Sequence, residues 1–378
     1  MEAPVVRVGV VGAGTVGAAL IGLITDANRQ AQLADAATAR VELVGVAVRD
    51  ATRDRPGVPA GLVTDDPVAL AARDDVDVLV EVAGGTDAAR AAIEAALDRG
   101  ASVVTANKAL MAAAGTELAA RAHAHGADLF YEAAVGGGIP ILRALRSSLA
   151  GERIERVTGI VNGTTNFILT SMAAEGRDYA SALAEARALG YAESDPTADV
   201  EGFDAAAKVQ ILSSLAFGTA LDGSEIDREG ISGVRALDVD FARRTGHVIK
   251  LLGVAERVGE RGLSQRVHPA LVPASHPLAS VSGAMNAVFV EGTRVGPLMW
   301  LGQGAGGAPT ATAVLGDVLD AARNRVSGRH DAPFRVVGDL EHVAAARLRS
   351  VFYLSVDVAD RPGVLAEVAG AFGAHGVS

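Results

Sequence analysis

Lysine is rare in this chain, and two of its lysines lie where proton transfer could occur. Only three of the 34 basic residues are lysines, namely Lys108, Lys208 and Lys250. An arginine stays charged, whereas a lysine gives up its proton when its surroundings favour the neutral form. Lys108 follows a predicted strand, and Lys208 lies four residues after Asp204. Lys108 and Lys208 are therefore candidate catalytic residues, although Lys108 also fits a surface lysine at a helix start. We expect Lys250 to be structural.

Asp204 and Lys208 lie one turn apart on a helix that the sequence predicts to be buried. The helix begins near Gly202 and carries apolar residues on nearly every side, which is typical of a buried helix. A charged pair in such a place needs partners or a wet cleft. One interpretation is a plain ion pair worth about 0.3 kcal/mol. The other makes Lys208 a general acid toward a carbonyl oxygen, with Asp204 holding it or binding a substrate amine.

The stretch before Lys208 is strongly acidic, with five carboxylates between residues 193 and 204. Clustered negative charge attracts cations. We therefore predict that Glu193, Asp199 and Asp204 bind a positively charged substrate, such as one with an α-ammonium group. None of the eight histidines has the spacing of a metal-ligand motif.

A glycine motif near the N-terminus predicts a dinucleotide site. Gly12, Gly14 and Gly17 follow an apolar strand and open a helix, which is the context that the phosphate-binding fingerprint requires. The glycines permit a tight turn and a close approach to pyrophosphate, and the helix N-terminus meets its negative charge. We expect cofactor contacts from Gly12, Gly14, Thr15 and Val16. A merely structural glycine turn is the alternative.

The residues after the second strand bear on the choice of cofactor. An acid there favours NAD, whereas an arginine accommodates the 2′-phosphate of NADP. The strand ends at Val48 and is followed by Arg49 and Asp50. We predict NADP with Arg49 on the 2′-phosphate; NAD with Asp50 on the ribose is the alternative, and the arginine would then be a solvated loop residue.

Composition excludes several classes of protein. The net charge of −11 argues against nucleic acid or an anionic membrane as the main partner. The chain has no cysteine, which excludes thiolate nucleophiles, disulfides and cysteine-ligated zinc. The apolar residues 5–24 include Arg7 and five glycines, so we do not expect a signal peptide or a membrane span. The cytoplasm is the expected location.

Short apolar strands alternate with Ala-rich helices through the first 135 residues. This alternation predicts an α/β fold with a Rossmann-type, doubly wound parallel sheet. The pattern changes after Glu132, which predicts an α+β second domain. The predicted division is a dinucleotide-binding domain at 1–135, a substrate-binding and dimerisation domain at 136–307, a helix at 308–325 that returns to the first domain, a linker at 326–350 and a last segment at 351–378.

The last segment predicts a strand at 351–357, a turn and a helix. One strand and one helix bury too little surface to fold alone. We therefore expect this segment either to be cut short or to complete itself against another chain.

Seven motifs in order over residues 5 to about 320 resemble homoserine dehydrogenase. The resemblance rests on Gly9-Val-Val-Gly-Ala-Gly-Thr-Val-Gly17, Thr105-Ala-Asn-Lys-Ala-Leu110, Tyr131-Glu-Ala-Ala-Val-Gly-Gly-Gly-Ile-Pro140, Asn162-Gly-Thr-Thr-Asn-Phe167, Gly190-Tyr-Ala-Glu-Ser-Asp-Pro196, Asp204-Ala-Ala-Ala-Lys208 and Gly304-Ala-Gly306. The run Asp360-Arg-Pro-Gly-Val-Leu365 resembles the start of an ACT regulatory domain. That domain would be partial here, so threonine inhibition is not predicted for this chain.

The resemblance implies a reversible NAD(P)H-dependent reduction of L-aspartate 4-semialdehyde to L-homoserine, on the route to threonine and methionine. Lys208 would be the proton donor, and Lys108 would contact both nicotinamide and substrate. A homodimer through the second domain is also implied. The remaining implied contacts are Gly84, Gly190 and Gly306 for the dinucleotide, and the main-chain carbonyls of Glu132, Val135, Gly137 and Ile139 for a sodium ion.

Two other functions fit the residues. One is an NADP-dependent reductase of another small amino or oxo acid, and the other is a catalytically silent NADP-binding sensor. The Asp204 and Lys208 pair favours an enzyme, because a sensor has no evident need for a buried proton donor. An acylating semialdehyde dehydrogenase is excluded, since that chemistry needs a cysteine nucleophile and the chain has none.

Overall fold

The computed structural model describes residues 4–55, 57–59, 61–220, 226–331, 336 and 340–377. The chain forms two compact units, residues 1–346 and residues 347–378. Two β-sheets make up the larger unit. Among the described residues, no helix is long and apolar enough to cross a membrane.

The first sheet confirms the predicted doubly wound fold. Its strands are β1 (Val5–Val11), β2 (Arg40–Ala47), β3 (Val63–Thr64), β4 (Val78–Glu81), β5 (Ser102–Thr105) and β6 (Leu129–Phe130). Its helices are α1 (Thr15–Thr25), α2 (Gln30–Ala37), α3 (Pro67–Ala71), α4 (Asp87–Asp98) and α5 (Lys108–Ala124). The strands are parallel in the order β3-β2-β1-β4-β5-β6. The order reverses between β1 and β4, where such sheets bind ligands at the carboxyl ends of their strands.

The central strands are apolar on both faces because helices cover both. Every residue of β4 is buried, as expected for a strand inside a parallel sheet. Val80 packs in one apolar cluster with Leu20 and Ile21 of α1. Leu79 packs in another with Ile93 of α4. Because side chains alternate between the two faces of a strand, β4 contributes residues to both apolar clusters.

The second sheet is mostly antiparallel. Its strands are β7 (Ile154–Ile160), β8 (Asp227–Arg228), β9 (His247–Val258), β10 (Gly262–Pro273), β11 (Met285–Gly292), β12 (Gly296–Gln303) and β13 (Glu341–His342). The order is β12-β11-β7-β9-β10-β13, and β8 also pairs with β10. The associated helices are α6 (Ile141–Arg143), α7 (Gly163–Glu175), α8 (Tyr179–Ala188), α9 (Thr197–Val200), α10 (Phe203–Phe217) and α11 (Ala236–Arg244). Short helical turns lie at Glu132–Ala134, Ala144–Ser148, Pro277–Ser280 and Ala345–Arg347.

Helix α10 carries two predicted catalytic residues, and it lies directly on the second sheet. A Cβ atom added to Gly253 of β9 would lie 2.3 Å from Val209 Cγ2 of α10. Only glycine therefore allows this close approach. The contact explains why α10 is apolar around most of its circumference, as the sequence predicted.

Helix α12 (Gly307–Ser327) follows the second sheet and packs against α1 of the first. Its buried Val314 and Val318 belong to the same apolar cluster as Leu20. The Arg323 guanidinium donates a hydrogen bond to Ala36 O at 2.6 Å. The helix predicted at 308–325 thus lies on the first sheet's side of the molecule.

The predicted linker at 326–350 contains more structure than expected. Helix α12 continues to Ser327, and β13 adds to the second sheet by pairing with Gly262 and Leu263 of β10. A short segment gains main-chain hydrogen bonds by pairing with an edge strand, whatever its side chains. Residues 332–335 and 337–339 of this linker lie outside the described part of the chain.

The predicted strand at 351–357 does not form. Residues 351–359 have no regular secondary structure, and Val351, Phe352 and Leu354 are exposed. A strand is stable only beside another strand. Helix α13 (Val364–Ala374) does form where a helix was predicted. The resemblance of this segment to an ACT domain stays a prediction.

Candidate active site

Helices α5 and α10 bring Lys108, Asp204 and Lys208 together. Asp204 lies between the two lysines: its Oδ2 accepts a hydrogen bond from Lys208 Nζ at 2.7 Å, and its Oδ1 lies 2.6 Å from Lys108 Nζ. Lys208 Nζ also donates to Val161 O at 2.7 Å. Asp204 and Lys208 are buried, whereas the Lys108 side chain is 46% exposed. Lys108 does begin a helix, but it also completes a three-residue cluster that we call the lysine cluster.

Asp204 is held as a carboxylate by the two ammonium groups. Burial favours its neutral form, but the charges of Lys208 and Lys108 outweigh burial and keep the pKa of Asp204 well below its usual range. With both lysines protonated, the lysine cluster carries one positive charge in excess. A buried positive charge stabilises negative charge that develops on a nearby oxygen.

Asn162 belongs to the site, although the sequence analysis did not assign it a role. Its Nδ2 donates to Asp204 Oδ2 at 2.9 Å and to Asp199 Oδ1 at 2.7 Å. Its Oδ1 accepts from Thr165 N at 2.9 Å, which caps α7. The predicted substrate-binding Asp199 is thus joined to the lysine cluster through one carboxamide. The Asn162-Gly-Thr-Thr-Asn motif was the available signal for this role.

The loop after α8 places Gly190 and Glu193 beside the start of α7. Gly190 has a positive φ of 77°, and the neighbouring Tyr191 O accepts a hydrogen bond from Thr164 Oγ1 at 2.7 Å. Glu193 is exposed. Within the described chain its carboxylate makes no hydrogen bond or ion pair, so the structure does not join Glu193 to the lysine cluster.

The glycine turn after β1 has the geometry that a pyrophosphate needs. A Cβ on Gly17 would lie 1.9 Å from Gly12 O, and Gly12 has a φ of +101° with the Ala83 backbone 2.7 Å from its Cβ position. Gly14 faces open space and begins α1 without a side-chain cap. The first-turn N–H groups, from Thr15 onward, are therefore available to an anion.

Other predicted cofactor contacts lie around this turn. Val16, in the first turn of α1, is partly buried. Gly306 begins α12 with a φ of +125°, and a Cβ on Gly307 would lie 2.9 Å from Thr15 Cγ2. Gly84 has a φ of +74° and follows β4, the neighbour of β1. The loops after β1, β4 and β12 therefore meet at one edge of the first sheet.

Of the two residues after β2 that could contact the cofactor ribose, Arg49 has fewer contacts within the described chain than Asp50. The side chain of Asp50 is turned into its own loop, where Oδ1 accepts from Thr52 N at 3.0 Å and from Thr52 Oγ1 at 2.6 Å. Arg49 is exposed, and its guanidinium has no hydrogen bond or ion pair within the described chain. An unpaired guanidinium is suited to a phosphate.

The loop predicted to bind sodium offers main-chain oxygens only. The Glu132 carboxylate is occupied, because it accepts from Leu142 N at 2.9 Å and from Arg143 N at 2.6 Å. Among the described residues, no group of three or more His, Cys, Asp or Glu side chains could hold a metal ion. The carbonyl oxygens of Val135 and Gly137 accept no hydrogen bond within the described chain, so these two of the four predicted ligands are available to a hard cation.

A doubly wound sheet with a glycine-rich turn, next to a buried lysine and carboxylate, defines a nicotinamide-dependent dehydrogenase. Comparison with known proteins agrees. The family described as "Homoserine dehydrogenase, NAD binding domain" matches residues 12–132, and the family described as "Homoserine dehydrogenase" matches residues 140–319. The chain belongs to the homoserine dehydrogenase family and is an oxidoreductase, as the sequence predicted.

Named relatives cover nearly the whole chain. A homoserine dehydrogenase of Mycobacterium tuberculosis is 52% identical over 99% of this chain and 85% of its own length. One from Corynebacterium glutamicum is 49% identical over 99% of this chain and 84% of its own length. The crystal structure of a homoserine dehydrogenase from Thiobacillus denitrificans has a TM-score of 0.90 at 38% identity, over 99% of this chain and 87% of that one.

A hyperthermophilic archaeal homoserine dehydrogenase in complex with NADPH also matches. Its TM-score is 0.71 at 29% identity, over 84% of this chain and 97% of that one. A nicotinamide dinucleotide is therefore the cofactor class of this chain.

Proposed function

We propose that Lys208 supplies the proton when this enzyme reduces L-aspartate 4-semialdehyde to L-homoserine, and removes it in the reverse direction. The observation that carries the proposal is the Asp204 carboxylate held between Lys108 and Lys208 at 2.6 and 2.7 Å. Lys208 has two acceptors, Asp204 Oδ2 and Val161 O. Within the described chain its third N–H has no partner, which leaves one proton for a substrate oxygen.

The charges of the lysine cluster suit this reaction. Bound NADPH supplies hydride to the aldehyde carbon, and negative charge grows on the aldehyde oxygen. Lys208 transfers its proton to that oxygen, while the ammonium of Lys108 stabilises the charge. Asp204 keeps both ammonium groups in place through its two oxygens.

Carboxylates beside the lysine cluster would bind the α-ammonium group of the substrate. Asp199 is partly buried and lies one carboxamide away from Asp204, through Asn162. Glu193 is exposed on the neighbouring loop and has no hydrogen bond or ion pair to the lysine cluster within the described chain. The two residues would therefore contribute unequally, with Asp199 the stronger.

NADP is the cofactor that the loop after β2 favours. Arg49 is exposed and unpaired in the described chain, while Asp50 is occupied by Thr52. Arg49 would hold the 2′-phosphate, and the first turn of α1 would hold the pyrophosphate. Replacing Arg49 with alanine should lower kcat/KM for NADP by about 10-fold, equivalent to about 1.4 kcal/mol, and leave that for NAD nearly unchanged.

Three further proposals follow from the family. A sodium ion would be held by the carbonyls of Glu132, Val135, Gly137 and Ile139, where it would fix the conformation of the loop between the two sheets. A homodimer would form through the second domain. The enzyme would act in the cytoplasm.

The test is steady-state oxidation of L-homoserine with NADP and with NAD, for the wild type and for Lys208→Ala. We expect kcat to fall by at least about 10²-fold in the variant, since a positioned general acid or base contributes 10²–10⁴-fold. NADPH binding, measured by fluorescence titration, should survive. The ratio of kcat/KM for the two cofactors tests the preference for NADP.

Glu175→Ala is a suitable control, because Glu175 is an exposed residue at the end of α7. It should leave kcat and NADPH binding unchanged. A wild type that binds NADPH but turns over homoserine with neither cofactor would contradict the assigned reaction and favour another substrate or a sensor. A Lys208→Ala variant with wild-type kcat would remove Lys208 from proton transfer while leaving the reaction in place.

A further inference from the structure

Glu81 is a fully buried carboxylate at the carboxyl end of β4, outside the lysine cluster. Its Oε1 accepts from Ala83 N at 2.9 Å and from Gly84 N at 3.2 Å. Its Oε2 accepts from Thr105 Oγ1 at 2.8 Å. Within the described chain no basic side chain pairs with it. A buried charge is retained only where several donors satisfy it, so neutral donors alone hold this carboxylate in place.

Thr105 extends the hydrogen bonds of Glu81 to the loop before α5. Its hydroxyl proton points at Glu81, so the same oxygen is free to accept a hydrogen bond from Asn107 N, at 3.0 Å. Asn107 then caps α5, because its Oδ1 accepts from Leu110 N at 3.1 Å. Lys108 is the first residue of that helix. The hydrogen bonds thus run without a break from Glu81 through Thr105 and Asn107 to the start of α5.

The series of hydrogen bonds returns from Asn107 to the loop after β4, where it began. Asn107 Nδ2 donates to Gly85 O at 2.6 Å, and Gly85 is next to Gly84, whose N–H is bound by Glu81. The carboxylate therefore ties together two loops: residues 83–85, which include the predicted cofactor residue Gly84, and residues 105–108, which end at Lys108. We call this set the Glu81 ring.

We infer that Glu81 and Thr105 are positioning residues for the dehydrogenase reaction, which set the place of Lys108 beside Asp204 and of the Gly84 backbone beside the cofactor. Within the described chain neither side chain makes a hydrogen bond or ion pair with the lysine cluster. This inference rests on the proposed role of Lys108. A misplacement of about 1 Å in a catalytic group costs up to 10²-fold in rate, so a ring that includes Asn107, the neighbour of Lys108, is close enough to matter.

The test is a double-mutant cycle between Thr105→Val and Lys108→Met, read as kcat and KM for homoserine oxidation with NADP. Valine keeps the shape of threonine and removes the hydroxyl that joins Glu81 to Asn107. Thr105→Val alone should lower kcat by about 10-fold, because Lys108 is displaced. In the Lys108→Met background it should cost less than about 2-fold, because residues that act through one another are not additive.

Two further variants separate positioning from general loss of structure. Thr105→Ser keeps the hydroxyl and should recover kcat to within about 3-fold of the wild type. Thr25→Val removes a threonine hydroxyl that, within the described chain, bonds only to Ile21 O in α1, and it should lower stability without lowering kcat. If Thr105→Val folds poorly, Glu81→Gln replaces it in the double-mutant cycle with Lys108→Met. The glutamine amide adds an N–H donor where three donors already point at Glu81, so it should break the ring without changing its size.

The outcomes are distinct. Non-additive losses with recovery by serine support the Glu81 ring. Losses that multiply in the double variant, or a Thr105→Val variant with wild-type kcat, overturn the inference and leave the role of Lys108 intact. A Lys108→Met variant with wild-type kcat overturns both the inference and the proposed role of Lys108.

Discussion

Two buried lysines, Lys208 and Lys250, lie on elements packed with the second sheet, and within the described chain only Lys208 faces a carboxylate. Lys208 donates to Asp204 and to a carbonyl oxygen. Lys250 of β9 donates only to neutral oxygens, Asn166 Oδ1 at 2.9 Å and Val281 O at 2.5 Å. Burial lowers the pKa of Lys250 to about 8. Lys208 thus has a carboxylate partner, whereas Lys250 is buried among neutral acceptors.

The surroundings of the two lysines also differ in access. The lysine cluster includes Lys108, nearly half of which is exposed, so the cluster reaches the protein surface. Lys250 is 4% exposed and links β9 to the start of α7 and the turn before β11. We therefore retain Lys208 in the proposed catalytic role, and the structural role of Lys250 stays a prediction. Three substitutions test this contrast.

The largest effect is expected from Lys208→Arg. Arginine keeps the positive charge beside Asp204, but it stays protonated and cannot transfer a proton. We expect kcat for homoserine oxidation to fall by about 10³-fold, with NADPH binding retained in a fluorescence titration. An arginine variant within about 10-fold of the wild type would show that charge alone carries the contribution of Lys208.

Asp204→Asn should have the next largest effect. Asparagine leaves two ammonium groups without a counter-charge and should lower kcat/KM by about 10²-fold. The pKa of Asp204 is depressed in the folded state, so its carboxylate stabilises the fold above its usual pKa of 3.8. That contribution is lost as the pH falls toward the lower folded pKa. Urea unfolding at pH 7 and pH 3 should show a wild-type advantage over the variant that shrinks at the lower pH.

Asp195→Asn is the matched control for this substitution, because Asp195 is an exposed carboxylate in the same acidic stretch and bonds only to Thr197 N within the described chain. Its kcat/KM should match that of the wild type. A comparable loss of kcat/KM in Asp195→Asn and Asp204→Asn would mean that activity depends on the negative potential of the whole acidic stretch, and not on the contact of Asp204 with the two lysines.

Lys250→Met should affect stability more than activity. In the folded protein the pKa of Lys250 is about 8 against 10.5 in a model peptide. Below pH 8 the protonated lysine must be buried, which opposes folding by up to about 3 kcal/mol. The wild type should therefore gain stability relative to the variant as the pH rises from 8 to 10.5. Unfolding free energies at pH 7 and pH 10 test this, and a difference that does not change with pH would contradict it.

Homoserine oxidation by the same Lys250→Met variant completes the contrast. We expect kcat within about 3-fold of the wild type, as for a substitution that removes no group acting in the transition state. A loss as large as that of Lys208→Arg, in a variant that still binds NADPH, would mean that Lys250 also takes part in the reaction.

Several parts of the fold could be predicted because their signals are local. The alternation of apolar strands with helices predicts a parallel sheet, and Gly12, Gly14 and Gly17 predict the turn at its edge. The spacing of Asp204 and Lys208 places both on one face of a helix. The long hairpin of β9 and β10 was not predicted, because its strands combine apolar and charged residues without strict alternation, although Gly259 lies in the turn between them with a φ of 66°.

The contacts between distant segments could not be predicted from local patterns. Lys108 and Asp204 are 96 residues apart in the chain, yet they form an ion pair because α5 and α10 pack together. Asn162 joins Asp199 to Asp204 for the same reason. Glu193 was expected beside them, but it lies exposed on a loop. Spacing predicts neighbours along one helix or strand, and it does not determine which elements meet.

The sequence by itself determined the class of fold, through its long alternation of apolar strands and helices. It also determined the dinucleotide turn and the pairing of Asp204 with Lys208, since each of these depends on residues within one or two turns of each other. The tertiary structure alone decided that Asp204 bonds to two lysines, that Glu81 connects the loop at Gly84 to the start of α5, and that Lys250 has no counter-charge in the described chain. The physical reason is that the charge state of a buried group depends on every donor, acceptor and charge packed around it, and those come from segments far apart in the chain.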